Sequence, residues 1–170
     1  MANKGLANLS ASILPDEVKS RLNGQLSTLT DSNNIWIYKN TIVGITSKDI
    51  FDSSSAIGNK DTYFGNEHRE IASGDKIWWV AIKHSGTSDG SMKTSQHVMV
   101  SHTGATPAFN GTGATSGILI GPGEMVVLKL SGVTVADLHA LSVNGPGGKP
   151  TSTGLEGVYI NVAAIVENIA

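Results

Sequence analysis

Lys76-Ile77-Trp78-Trp79-Val80-Ala81-Ile82-Lys83-His84 is the stretch whose reading decides the fold. It is the most apolar run in the middle of the chain. Read as a strand, its side chains alternate between two faces. Ile77, Trp79 and Ala81 then point one way, and Trp78, Val80 and Ile82 the other. A half-exposed strand shows one polar face. Here both faces are apolar, so the strand is expected to be covered on both sides. One cover is a sandwich core. The other is an arm of the same chain or a neighbouring subunit.

Downstream, Gln96–His102 reads as a strand with Val98 and Val100 on one face. Gly117–Ile120, then Gly121-Pro122-Gly123-Glu124, then Glu124–Leu130 reads as a hairpin around a strong turn signal, with Val126, Leu128 and Leu130 on one face. Ala136–Leu138 reads as one helical turn at a sheet corner, followed by a strand over His139–Val143. The last strand places Val158, Ile160, Val162, Ala164 and Val166 on one face, and Tyr159, Asn161, Ala163 and Ile165 on the other. Such a pattern suits a central strand.

Upstream, Ile35–Lys39 and Thr41–Ile45 read as one bent strand with a bulge near Asn40. Residues 47–74 read as a long polar loop that serves a contact. Residues 103–116 and 144–150 also read as loops. Residues 1–34 form an arm. Pro15 suits a first helical position, and Val18, Leu22, Leu26 and Leu29 follow at helical spacing. The spacing predicts a short amphipathic helix over Pro15–Gln25. An isolated helix of this length is marginal in water, so the arm must dock on its own domain or on a neighbour. The chain therefore divides into an arm, 1–34, and an all-β domain, 35–170. Seven or eight short strands without alternating helices predict a two-sheet antiparallel sandwich, jelly-roll-like or immunoglobulin-like.

Composition narrows the function. The chain has 170 residues, a net charge of −2 and 15 % charged residues. It lacks the basic stripe that nucleic acid requires. No apolar run approaches the roughly 20 residues that span a bilayer. The start, Met1-Ala2-Asn3-Lys4-Gly5, lacks the apolar core of a secretory signal. There is no cysteine, which removes disulfides, thiolate metal sites and cysteine nucleophiles. Synthesis in a reducing cytoplasm is expected.

No catalytic motif emerges. His68, His84, His97, His102 and His139 show no ligand spacing. The glycines of 111–117 precede a strand instead of opening a helix, and Gly145–Pro150 lacks the Lys-Ser or Lys-Thr of a phosphate loop. No nucleophile elbow is present. The chain is expected to be no enzyme and to need no cofactor or metal.

Three features carry a family likeness: Trp79–Thr87, the Pro-Gly-Glu turn within Gly117–Leu130, and Asp137-Leu138-His139-Ala140-Leu141. On these, Ile77–Val143 resembles small β-sandwich virion proteins of tailed bacteriophages, in particular capsid decoration or cement proteins. The Gly-Pro-Gly-Glu turn is also similar to that of cupins, and Asp137 with Leu141 to the corner of immunoglobulin-like domains. The histidine motif of the first and the tyrosine of the second are absent.

The phage resemblance implies a non-enzymatic subunit of the virion, assembled in the host cytoplasm, whose partners are the major capsid protein and copies of itself. The expected subunit contacts are Leu6, Leu9, Ile13, Leu14, Val18, Leu22, Trp36 and Trp78. Two other readings follow from the same scaffold. One is a carbohydrate- or receptor-binding tail or fibre module using Trp36, Tyr63 or Trp78. The other is a metal-dependent, cupin-like enzyme using His84, His97 and His102.

Overall fold

In a computed structural model, the described residues are 4–13, 20–29, 34–53, 70–102, 117–144 and 157–169. They form two antiparallel four-stranded sheets and a separate two-stranded ribbon. The ribbon pairs β1, Lys4–Ile13, with β2, Ser20–Leu29. The first sheet has the order β3-β10-β5-β8, from Asn34–Val43, Val158–Glu167, Lys76–His84 and Met125–Thr134. The second has the order β4-β9-β6-β7, from Lys48–Asp49, Leu138–Val143, His97–His102 and Ile118–Ile120.

The pairing is nested. β3 pairs with β10, β4 with β9, β5 with β8, and β6 with β7. Strands β3 to β10 thus form one long antiparallel hairpin, rolled so that its segments fall in two sheets. The core lies between the sheets. Val158, Ile160, Val162, Ala164 and Val166 enter it from β10, Val98 and Val100 from β6, and Ile77, Val80 and Ile82 from β5. The β10 alternation is the one read from sequence, and β10 lies inside its sheet, between β3 and β5. The helical turn expected over Ala136–Leu138 is present one residue earlier, at Val135–Asp137, and Leu138 already belongs to β9.

Several expectations are corrected. The helix over Pro15–Gln25 is replaced, over Ser20–Gln25, by strand β2; residues 14–19 lie outside the described residues. Leu22 and Leu26 are four apart, an even spacing that fits one side of a strand as well as one face of a helix. Gly24 and the nearby Ser and Thr residues weaken the helix, and the ladder to β1 supplies hydrogen bonds that a lone helix lacks. The bulge expected near Asn40 is absent: β3 holds unbroken register with β10 from Asn34 to Val43. The register shifts instead at Trp78, between Ile77 and Trp79. Ile77 therefore joins Val80 and Ile82 in the core, while Trp79 and Ala81 lie on the opposite face.

The hairpin expected around Gly121–Glu124 is a crossover. β7 belongs to the second sheet and β8 to the first. Glu124 closes the turn: its carboxylate accepts the Gly121 N–H at 2.6 Å, and its own N–H donates to the Gly121 carbonyl at 3.0 Å. Ile120 and Val126 enter one core from opposite sheets, a choice that no local turn signal encodes. Nor is 47–74 wholly polar loop: Ile50, Phe51 and Ile71 are core residues. Residues 54–69, 103–116 and 145–156 lie outside the described residues.

Candidate contact surface

Each sheet has an inner face on the core and an outer face, and the two outer faces differ. On the second sheet, Met99, Leu141 and Val143 are buried in a cluster of their own, with Leu119 packed against it. On the first sheet, register places residues in rows. Trp36, Ile165, Trp79 and Lys129 form one row; Tyr38, Ala163, Ala81 and Val127 the next; Asn40, Asn161, Lys83 and Met125 a third. The two alanines make the middle of this face low, while aromatic and methionine side chains stand beside them. Shallow apolar hollows follow, lined by Trp36, Tyr38 and Ala163 at one side and by Ala81, Ala163 and Met125 at the other. Tyr38 is 56 % exposed and Met125 60 %.

The face has a rigid end. Trp36 and Trp79 meet edge to face, with ring centroids 5.5 Å apart and planes at 74°, a favoured aromatic geometry. The Trp79 indole N–H is buried and has no hydrogen-bond acceptor among the described residues. A buried donor without a partner costs about 1–3 kcal/mol. The opposite end is polar, with the Asn161 side-chain amide donating to the Asn40 Oδ1 at 2.6 Å.

Of the residues expected at subunit contacts, Trp36 lies on this face. Trp78 does not form an open platform: it is the bulge residue, half-buried, and its indole N–H donates to the Glu167 carboxylate at 3.0 Å. Leu6, Leu9 and Ile13 are on β1 and Leu22 on β2, while Leu14, Val18 and Tyr63 lie outside the described residues. Sequence reasoning missed Tyr38, Ala81, Ala163 and Met125 as one surface. The signal was the outward alternation of β10, which needed the register of its neighbours to become a surface.

Among the described residues no three histidines come together; His68 lies outside them. His97 and His102 occupy opposite ends of β6, pairing with Val143 and Leu138. His139 contacts Asp49 at 2.9 Å. Among the described residues no three His, Asp or Glu side chains are placed to hold a metal ion. His84 is fully buried and tied on both sides to backbone. Its Nδ1 accepts the Gly86 N–H at 2.9 Å, which leaves Nε2 as the protonated nitrogen, 2.9 Å from the Gln96 carbonyl.

Burial pushes the His84 imidazole below its ordinary value of 6.5. The Gln96 carbonyl opposes that shift, His97 adds to it, and Glu124 opposes it. The unfolded chain therefore binds this proton more readily than the folded one. The His84 contribution to stability is complete above pH 6.5 and is lost as pH falls below it, toward the lowered native value. Thermal unfolding across pH 8 to 5 is expected to show falling stability in the acid half. His84→Gln, which carries no titrating ring, should flatten that fall; an unchanged slope in the variant would refute the assignment.

Compared with protein-family models, with curated proteins and with solved structures, the chain matches none.

Proposed function

We propose that this chain is a structural subunit of a tailed-phage virion, a capsid decoration protein that binds the head shell and copies of itself. One observation carries the reading: on the outer face of the first sheet Tyr38 and Met125 stand open beside the low floor of Ala81 and Ala163, while the apolar cluster on the second sheet is buried. A face offering the half-buried Trp36 with the exposed Tyr38 and Met125 has aromatic and methionine content typical of interfaces. The nested strand order supports a jelly roll over an immunoglobulin-like sandwich, and jelly rolls include viral capsid domains, lectins and cupins. The fold gives only a class of scaffold, and the open part of the face is what supports this choice within it. A sugar platform gains no support, since Trp36 is packed on Trp79 and Trp78 is tied to Glu167. A cupin-like metal site gains none from His97 and His102, which are held apart.

Shells assembled from the major capsid protein of the same genome provide the test. The chain is expected to cosediment with them at a saturating ratio and to raise their melting temperature. Tyr38→Asp, at an exposed position, should keep the fold and weaken binding by about 30-fold or more, the loss typical of an interface anchor. A chain that stays in the supernatant would contradict the proposal.

A further inference from the structure

The outer face of the first sheet continues past the rows already described, with Ile42 of β3 opposite Tyr159 of β10. Three of the six large apolar side chains that stand exposed among the described residues lie on it: Tyr38, Ile42 and Met125. Its charge is one-sided. Lys83 and Lys129 are exposed and stand in its rows, whereas the rows from Trp36 to Ile42 hold no Asp or Glu among the described residues. The flanking carboxylates are engaged within the chain: Glu124 accepts the Gly121 N–H at 2.6 Å, and Glu167 the Trp78 indole N–H at 3.0 Å. A chain of net charge −2 thus turns a cationic, apolar face outward.

Register fixes the layout. Lys83 is four residues from Trp79, and Lys129 lies opposite Trp79 on the neighbouring strand. At about 3.4 Å per residue and about 4.8 Å between strands, the two lysine backbones stand about 14 Å apart. The middle row between them holds the low floor of Ala81 and Ala163, with Tyr38 and Met125 lining the same hollow.

We propose that this face receives an acidic protein surface: an apolar side chain of the partner seats on the floor of Ala81 and Ala163, and carboxylates on either side of it meet Lys83 and Lys129. The inference rests on the reading of the chain as an assembling subunit and gives the chemistry of the surface it binds. Charge complementarity sets the sign of the partner. The floor calls for an apolar group at its middle, because a charge buried there without a partner is costly. Other anionic surfaces fit less well. Nucleic acid takes a basic stripe, and acidic lipid takes clusters of roughly 4–8 lysines and arginines; two separated lysines make neither.

The test uses the purified full chain and a backbone-cyclised β-hairpin with one strand reading Glu-Thr-Phe-Thr-Glu. Phe and both Glu then share a face, with the carboxylates about 14 Å apart. Titration followed by amide chemical shifts is expected to move residues 36–42, 79–83, 125–129 and 159–163, with little change in β6 and β9. Replacing both Glu of the hairpin by Lys, or its Phe by Ala, should each weaken binding by about tenfold or more. Lys83→Glu with Lys129→Glu should weaken the acidic hairpin by about tenfold or more and favour the Lys hairpin instead. Lys83→Glu alone, with the same direction of change, serves if the double variant loses the wild-type urea transition. No shift with the acidic hairpin, equal binding of the three hairpins, or a preference unchanged by charge reversal would each overturn the proposal. So would shifts of these residues by phosphatidylglycerol vesicles or duplex DNA in place of the acidic hairpin. Because no shell is present, such a result is separate from failure to bind capsids.

Discussion

Phe51→Ala is expected to lower unfolding stability by about 3–5 kcal/mol, the range for emptying a fully buried aromatic site. Phe51 has no exposed surface and belongs to the main core cluster. It sits just beyond β4, where the Ile50 N–H donates to the Leu138 carbonyl at 2.9 Å. That bond fixes the backbone, so the neighbours cannot easily collapse into the space left behind. At roughly 2–4 °C per kcal/mol for a chain of this size, the melting temperature should fall by about 10 °C. Urea unfolding of wild type and variant reads the difference. A loss under about 1 kcal/mol would mean that 47–53 is surface loop after all, and that the core drawn here is wrong.

Asp75→Ala should be comparably severe for a different reason. Asp75 is buried at 1 % exposure, and its carboxylate accepts the Ala72 N–H at 2.9 Å and the Ile169 N–H at 3.1 Å. Its own carbonyl accepts the Val135 N–H at 2.9 Å. One residue therefore ties the start of β5 to the preceding turn, to the segment after β10 and to the end of β8. The variant leaves two backbone donors without their acceptor, at about 1–3 kcal/mol each where the site stays dry. A loss of about 2–6 kcal/mol is expected. Asp75→Asn keeps one acceptor oxygen and should fall between variant and wild type. Equal stability of Asp75→Ala and wild type would show that these bonds hold nothing.

The sandwich was legible where a side-chain period ran long enough to decide a face. The alternation of β10 over Val158–Val166 names both its core residues and its central place. Strand β6 and a turn ahead of β9, expected over Ala136–Leu138 and found at Val135–Asp137, follow from similarly local signals. What failed was non-local. Leu22 and Leu26 fit either period, and only the β1 ladder selects the strand. The Gly121–Glu124 turn announces a reversal but not that its arms enter opposite sheets. Phe51 is a single aromatic among Lys48, Asp49, Asp52 and Ser53, too isolated to register as a pattern. The bulge at Trp78 shifts Ile77 to the other face, a one-residue slip with a large consequence for side-chain placement. The contact surface was only half visible: Trp36 was expected there, but the low floor of Ala81 and Ala163 exists only once β5 and β10 are in register.

Hydrogen exchange on the full chain, free and bound to assembled shells, tests the central claim most directly. The account predicts new protection along the first sheet, greatest at 36–42 and 79–83, with little change in the second sheet. Protection confined to the second sheet, or none in either, would contradict it.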